Sequence, residues 1–278
     1  MANTLTGTPA AAAIYVQVRE HAAALDAPPC LAAVSVGAQP DDRAYLRSIA
    51  LSAEDCGITV RPVPLPADCA PEALTDTLRA LSTDGAVHGV LLLRPLPEAL
   101  RAQEILDTLD ARKDVDGMTT ASLGTLVTGA AGFAPCTAEA CMELLRAHGI
   151  DPAGRRVTIV GRSLVIGRPA ALLLTRADAT VTLCHRKTPD LAARCRDADI
   201  LLAAAGAPGL ITTDFVRPGQ IVLDAGATVL PDGTLRGDVA PDAAAITVCT
   251  PVPGGIGSVT TALLLRHTVQ AAENLRHF

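Results

Sequence analysis

The first half of the chain alternates between short apolar runs and longer stretches rich in alanine, leucine and arginine. Short, continuously apolar runs are typical of buried parallel strands, and the longer stretches are typical of helices. In chain order the pattern predicts a helix at Ala10–Leu25, a strand at Cys30–Val36, a helix at Tyr45–Cys56, a strand at Thr59–Leu65, a helix at Pro71–Ser82 and a strand at Val87–Leu93. This alternation predicts an α/β fold built from parallel βαβ units.

The second half repeats the alternation after a segment bounded by glycine and proline, Gly132–Thr137. The predicted elements are a helix at Ala138–His148, strands at 156–160, 180–184, 199–204, 220–224 and Ala245–Cys249, helices at 168–177 and 189–197, and a final helix at Val259–Leu275. This order is typical of a dinucleotide-binding domain. We expect the final helix to pack on the first half of the chain.

The stretch Arg156–Pro169, RVTIVGRSLVIGRP, joins a strand to a helix through a turn between Gly161 and Gly167. A strand that stops on glycine and runs directly into a helix leaves unpaired N–H groups directed at one point, where phosphates bind. The spacing is G-x5-G, and the general dinucleotide fingerprint is G-x-G-x-x-G. A nucleotide site is favoured, with an ordinary α/β turn as the alternative.

The residues after the next strand indicate which dinucleotide binds. Strand 180–184 is followed by His185, Arg186 and Lys187. Domains that select NAD carry an acidic residue here for the ribose hydroxyls, whereas a 2′-phosphate requires a basic environment. The sequence therefore predicts NADP rather than NAD.

A second unusual loop, Thr250–Gly257 (TPVPGGIG), follows the last predicted strand. Two prolines and three glycines make its backbone stiff yet sterically open, which suits close approach by a flat ligand. Its place between a strand and a helix puts it at the sheet edge where ligands bind in open α/β folds. A loop without a binding role is the alternative.

Composition limits the class of protein. The chain has 278 residues, 49% hydrophobic and 19% charged, which is typical of a globular protein with a large core. Its net charge of −6 argues against nucleic acid as a partner. No apolar stretch reaches the ~20 residues of a membrane helix, and the first residues lack the basic region of a secretory signal. We expect a cytoplasmic protein that binds no membrane.

The eight cysteines and six histidines show no metal-binding spacing. Most of the cysteines lie in apolar surroundings, which favours small buried side chains in a reducing compartment. We predict no metal site.

Seven motifs occur in an order that resembles one known family. They are Val34–Tyr45 (VSVGAQPDDRAY), His88–Pro97 (HGVLLLRPLP), Lys113–Gly117 (KDVDG), Pro135–Thr137 (PCT), Gly161–Pro169 (GRSLVIGRP), Gly237–Val239 (GDV) and Thr250–Gly257 (TPVPGGIG). Together they resemble the methylenetetrahydrofolate dehydrogenase/cyclohydrolase family over nearly the whole chain. That family oxidises 5,10-methylenetetrahydrofolate to the methenyl cation and hydrolyses the cation to 10-formyltetrahydrofolate.

The resemblance implies an N-terminal α/β catalytic domain and a Rossmann-type NADP-binding domain with a cleft between them. The expected boundaries are 1–137, completed by the C-terminal helix 260–278, and 138–259. The resemblance also implies a homodimer formed through the Rossmann domains and a tetrahydrofolate one-carbon substrate.

The resemblance assigns roles to residues at matching motif positions. The expected cofactor contacts are Gly161, Arg162, Ser163, Arg186, Lys187, Ala227 and Thr137. The expected substrate contacts are Tyr45, Leu93, Asp116, Pro253, Gly254, Gly255 and Ile256. Cys136 either borders the nicotinamide or, as we favour, packs at the domain junction.

Three departures from the family pattern concern catalysis. The family's Tyr-x-x-x-Lys motif begins here at Tyr45 and ends at Ile49, so isoleucine replaces the catalytic lysine. The glutamine that tunes that lysine is replaced by Leu93, and the serine before the tyrosine is replaced by Asp42. Asp42 is a solvent-facing acid, a substitute base or a contact to a different substrate. The candidate catalytic positions are Tyr45, Asp116, Ile49 and Asp42.

Hydride transfer needs geometry more than acid–base groups, and Asp116 can still hold the pterin. Hydrolysis needs a positioned acid–base group, which contributes ~10²–10⁴-fold. The sequence thus predicts an NADP-dependent methylenetetrahydrofolate dehydrogenase whose cyclohydrolase activity is lost or strongly reduced. Two alternatives stay open: a repurposed paralogue of a specialised pathway acting on a related one-carbon adduct, and a catalytically silent dinucleotide-binding protein.

Overall fold

The computed structural model describes residues 4–37 and 40–275, without the side chains of residues 40–42. The helices are α1 (Thr8–Ala23), α2 (Pro40–Glu54), α3 (Pro71–Thr83), α4 (Gln103–Leu106), α5 (Thr120–Thr128), α6 (Cys136–Ala147), α7 (Gly167–Arg176), α8 (Leu191–Asp197), α9 (Pro241–Ile246) and α10 (Ile256–Leu275). The strands are β1 (Cys30–Val36), β2 (Thr59–Leu65), β3 (Gly89–Leu92), β4 (Arg156–Val160), β5 (Thr180–Cys184), β6 (Ile200–Ala203), β7 (Ile221–Asp224), β8 (Thr228–Val229), β9 (Leu235–Arg236) and β10 (Val248–Cys249).

The chain forms two compact units. The first unit contains Ala13–Cys136 and the residues from Thr261 onward, and the second contains the residues up to Ala12 and Thr137–Thr260. The sequence-based division puts the N-terminal segment with the other unit. It groups instead with Thr137–Thr260, where the N–H group of Leu5 donates to the carbonyl of Cys249 at 3.0 Å. The domain boundaries as such stay a prediction.

The first unit contains a parallel three-stranded sheet in the order β2-β1-β3. The central strand β1 is buried along most of its length, as its run of apolar residues predicts. Strand β2 lies at an edge and contains Pro62 and Pro64, which an edge strand tolerates because fewer of its N–H groups are needed for pairing. In α3 the side chains of Leu74, Leu78 and Leu81 form one buried face at helical spacing.

The second unit contains a parallel five-stranded sheet in the order β10-β7-β6-β4-β5. Strand β4 pairs with β5 on one side and β6 on the other, so the order in which successive strands are added to the sheet reverses at β4. In open α/β sheets, ligands bind beside the carboxyl ends of strands at such a reversal. The α/β class with parallel sheets is confirmed.

Two local predictions miss helices. The predicted strand Ala245–Cys249 is wrong in its first part, because Pro241–Ile246 is helical and only Val248–Cys249 is a strand. Proline in the first turn followed by three alanines favours the helix. Helix α5 was also not predicted, although Thr119 caps it by accepting a hydrogen bond from the N–H group of Ser122.

Candidate functional site

The turn after β4 depends on two close backbone approaches. Gly161 has a φ of +126°, and a Cβ atom there would lie 1.9 Å from the carbonyl oxygen of Ala204. A Cβ atom on Gly167 would lie 2.0 Å from the carbonyl oxygen of Gly161. Only glycine fits at either position. The turn leads into the N-terminus of α7, where the helix dipole favours an anion, so its geometry fits a cofactor phosphate.

Arg162 and Ser163 are exposed in this turn. Ser163 Oγ accepts a hydrogen bond from the N–H group of Ile166 at 3.1 Å, and its carbonyl accepts one from Arg168 at 3.1 Å. The turn is thus held in shape while its two predicted cofactor contacts face solvent.

Arg186 and Lys187 lie in the turn after the neighbouring strand. The last residues of β4 and β5, Val160 and Cys184, are paired, and the N–H group of Gly161 donates to the carbonyl of Cys184 at 3.0 Å. Both basic side chains are exposed. The ends of β4 and β5 therefore lie side by side. Arg162 follows the first of these ends, and Arg186 and Lys187 follow the second.

Two buried aspartates organise the next turn, and sequence reasoning assigned neither of them a role. The Asp238 carboxylate is 0% exposed and accepts the backbone N–H groups of Ala205, Gly206 and Ala207 at 2.6, 3.0 and 2.7 Å. Asp224 accepts the N–H group of Asp238 at 2.9 Å, and burial raises the pKa of Asp224. The only sequence signal was the G-D-V motif itself.

Replacing Asp238 by alanine is expected to lower the free energy of unfolding by about 3 kcal/mol, because three N–H groups lose the buried, charged acceptor that they share. Unfolding in urea measures the loss. Asp232→Ala is the matched control, since this exposed carboxylate accepts one N–H group, that of Thr234 at 2.9 Å. The control should lose less than about 1 kcal/mol. Equal losses in the two variants would contradict the interpretation.

The loop Thr250–Gly257 joins the same network. The N–H group of Asp224 donates to Thr250 Oγ1 at 2.7 Å, so the loop is fixed at its first residue. Two of the predicted cofactor contacts lie elsewhere in the second unit: Thr137 is partly buried in α6, and Ala227 is exposed after β7. The loop contains four predicted substrate contacts. Pro253 and Gly254 are exposed, whereas Gly255 and Ile256 are buried.

The first unit carries the departures from the family pattern. Tyr45 and Ile49 lie one turn apart on α2; Tyr45 is 39% exposed, whereas Ile49 is 0% exposed. Burial raises the pKa of the Tyr45 hydroxyl, which hydrogen-bonds Thr261. Leu93 is buried after β3. Asp42 falls in the first turn of α2, but its side chain lies outside the described residues.

Asp116 lies half-buried in the loop 113–117. Burial first, and the neighbouring Asp114 carboxylate second, raise its pKa to about 6. Arg94, the Cys136 thiol and His267 act in the opposite direction and favour the charged form. The charge on Asp116 also raises the pKa of Tyr45, so the structure brings these two predicted site residues close together.

Lys113 is committed to the fold of the first unit. Its side chain is 4% exposed, and Nζ donates to the carbonyls of Leu81 at 3.1 Å and Asp84 at 2.8 Å. Burial lowers its pKa. The sequence contains one other lysine, Lys187, which lies in the turn after β5 of the second unit.

Comparison with known proteins identifies the family. Residues 5–116 match the model of the tetrahydrofolate dehydrogenase/cyclohydrolase catalytic domain, and residues 135–276 match that of its NAD(P)-binding domain. The chain belongs to the tetrahydrofolate dehydrogenase/cyclohydrolase family. The predicted resemblance is therefore confirmed, with a catalytic domain followed by an NAD(P)-binding domain.

Individual relatives agree with the family assignment. The bifunctional protein FolD 1 of Rhodococcus jostii is 47% identical over 98% of this chain and 93% of its own. The crystal structure of the bifunctional FolD enzyme of Campylobacter jejuni has a TM-score of 0.93 at 37% identity, covering 98% of this chain and 99% of that one. The Trypanosoma brucei FolD structure, a complex with NADP and an inhibitor, has a TM-score of 0.92 at 34% identity, covering 99% of both chains.

Across the described side chains, those of residues 4–37 and 43–275, no three of His, Cys, Asp or Glu form a group that could hold a metal ion. In the same part of the chain, no helix has both the length and the apolar character of a membrane span. All eight cysteines are free thiols, and Cys136 is buried in the first unit.

Proposed function

We propose that the protein oxidises 5,10-methylenetetrahydrofolate to 5,10-methenyltetrahydrofolate with NADP, and that its cyclohydrolase activity is lost or strongly reduced. The observation that carries this proposal is Ile49. It is fully buried, and it lies one helical turn from Tyr45 at the position of the family's lysine. Lys113 cannot replace that lysine, because its amine is bound to two backbone carbonyls.

The dehydrogenase step needs only binding and orientation from this chain. The Asp116 carboxylate accepts hydrogen bonds from the pterin N–H groups, and Tyr45 lies against the folate ring. Gly161, Arg162 and Ser163 would hold NADP, which would supply the acceptor for the hydride of the methylene carbon. Because two ring nitrogens stabilise the cation that remains, no side chain has to remove a proton. The family's reaction can therefore proceed without the lysine.

Hydrolysis of the methenyl cation makes a different demand. Attacking water must lose a proton, and a ring nitrogen must later gain one. Ile49 and Leu93 are both buried and offer no atom that can accept or donate a proton. The apolar pair thus supports the loss of this step while leaving folate binding in place.

NADP is the cofactor that the second unit fits best. The turn between Gly161 and Gly167 runs directly into the N-terminus of α7, where the helix dipole favours a phosphate. Arg162, Arg186 and Lys187 offer charge-assisted hydrogen bonds to a 2′-phosphate. The Trypanosoma brucei relative, solved with NADP, supports the same choice.

The substitution Arg186→Glu is expected to weaken NADP binding about 10- to 100-fold and to leave NAD binding nearly unchanged, because only NADP carries the 2′-phosphate. Calorimetric titration with each cofactor measures the two affinities. Arg176→Glu is the matched control, since it makes the same charge change at the C-terminal end of α7. That end lies roughly 15 Å along the helix axis from the turn that would hold the cofactor phosphate. Equal catalytic efficiency of the unmutated protein with both cofactors would refute the assignment.

An absorbance assay tests the proposed function as a whole. The purified protein is mixed with methylenetetrahydrofolate and either NADP or NAD, and reduced cofactor and methenyltetrahydrofolate are measured separately. Stoichiometric formation of both products with NADP is expected. Folate binding without turnover would favour a related one-carbon adduct as substrate, and absence of folate binding would favour a silent dinucleotide-binding protein.

We also propose that the protein is a homodimer joined through the second unit. Strand β5 lies at the edge of the five-stranded sheet, most of its residues are at least partly exposed, and Leu183 is 38% exposed. An edge strand with exposed apolar side chains is suited to pairing with a second copy.

A further inference from the structure

The carbonyl of Val115, the residue before Asp116, is approached by two side chains from other parts of the first unit. His267 Nδ1 on α10 lies 2.8 Å from this oxygen, and Cys136 Sγ at the start of α6 lies 3.3 Å from it. Cys136 and His267 are 1% and 3% exposed, and Sγ and Nδ1 are 3.5 Å apart. Two donors therefore meet at one acceptor next to the candidate pterin contact.

The chemistry of the carbonyl decides the tautomer of His267. A carbonyl oxygen only accepts hydrogen bonds, so at 2.8 Å the proton must be on Nδ1. The ring is held in place by Phe133, whose centroid lies 4.9 Å away at an interplanar angle of 32°. With Nδ1 donating to Val115, the Cys136 thiol proton is available to another acceptor.

The Asp116 carboxylate is the stronger acceptor within reach of that thiol, because an ionised oxygen forms shorter and stronger hydrogen bonds than a neutral carbonyl. We propose that His267 is a positioning residue for Asp116: its Nδ1–H group satisfies the Val115 carbonyl and so leaves the Cys136 thiol to donate to the Asp116 carboxylate. This inference rests on the proposed function, in which a charged Asp116 holds the pterin.

Loss of the His267 donor has a defined consequence. The Val115 carbonyl would compete for the Cys136 thiol, since a buried carbonyl without a donor is costly. Asp116 would then lose a hydrogen bond to its charged form and bind its proton more tightly. The effect would be confined to folate binding at pH values near and below the pKa of Asp116.

Other charged and titratable groups also face Asp116. Asp114 lies in the same loop and favours the protonated form, whereas Arg94, after β3, favours the carboxylate. Tyr45 faces Asp116 from α2, and burial keeps its pKa above the ordinary value. None of these residues changes in the variants below, so a shift in the titration of Asp116 reports on the His267 and Cys136 pair.

The test compares two substitutions of His267. In His267→Leu the donor is lost, and kcat/KM for methylenetetrahydrofolate should fall about three- to tenfold at pH 6 but little at pH 8.5. In His267→Asn the side-chain amide places a donor near the former Nδ1 position, so the pH profile should return to that of the unmutated protein. The KM for NADP should stay unchanged in both variants. Equal losses at both pH values, or no rescue by asparagine, would indicate packing alone.

A double substitution tests whether the effect passes through Cys136. Once Cys136→Ala has removed the thiol, adding His267→Leu should not shift the low-pH side of the kcat/KM profile further. Independent packing effects of the two substitutions would instead add. Carboxyl ¹³C NMR titration of Asp116 gives a second readout that needs no turnover. A higher midpoint in His267→Leu, but not in His267→Asn, supports the inference, and identical midpoints overturn it. Absence of dehydrogenase activity in the unmutated protein would overturn only the proposed function.

Discussion

Methenyltetrahydrofolate is expected to accumulate when the protein oxidises methylenetetrahydrofolate. The family's lysine and glutamine are replaced by Ile49 and Leu93, which are 0% and 6% exposed. Neither side chain can take a proton from attacking water or return one to the folate nitrogen. A positioned acid–base group contributes ~10²–10⁴-fold, so hydrolysis should be slower by about that factor than in a bifunctional enzyme. The unmutated protein should then hydrolyse methenyltetrahydrofolate no faster than buffer.

The decay of the methenyl absorbance, with and without protein, measures this directly. Asp42 is the one acidic replacement at a catalytic motif position, so Asp42→Asn is compared with Asp41→Asn, its neighbour in sequence. If hydrolysis persists and only Asp42→Asn abolishes it, Asp42 is a substitute base. Enzyme-dependent decay that neither substitution affects would contradict our interpretation of the site.

The substitution Asp116→Asn is expected to lower kcat/KM for methylenetetrahydrofolate at least about 100-fold. The pterin loses a charged acceptor, and the amide N–H groups of the new asparagine would face the N–H donors of the pterin. NADP affinity should be retained, because the proposed cofactor contacts lie in the second unit. Asp76→Asn is the control, since this carboxylate is 76% exposed on α3. Retention of folate turnover by Asp116→Asn would exclude the proposed role.

Asp116→Asn should raise the stability of the protein, although it lowers kcat/KM. The pKa of Asp116 is raised from 3.8 to about 6, so the folded state prefers the protonated carboxyl. This preference stabilises the fold fully below pH 3.8 and is lost as pH rises through about 6. Relative to the unmutated protein, Asp116→Asn should therefore gain about 1 kcal/mol in free energy of unfolding between about pH 5 and pH 8. A pH-independent difference in urea unfolding would contradict this.

Strands rich in β-branched and apolar residues were predictable because one local pattern determines them. Strands β1, β2, β4 and β5 have the predicted bounds. Short elements were not predictable in this way, since four residues of α4 or two residues of β8 are too few to show a period. Helix α2 begins five residues before the predicted Tyr45, at Pro40, where proline suits the first turn.

The sequence by itself determined the family, the glycines of the G-x5-G turn and the replacement of a lysine by Ile49, because each depends on the identity of residues at a local spacing. The tertiary structure alone decided where Lys113 directs its amine, which N–H groups Asp238 holds, and that His267 meets Val115. These contacts join residues that are 29 to 152 positions apart in the chain. Such contacts depend on how distant elements pack, and no local pattern of apolar and polar residues encodes that packing.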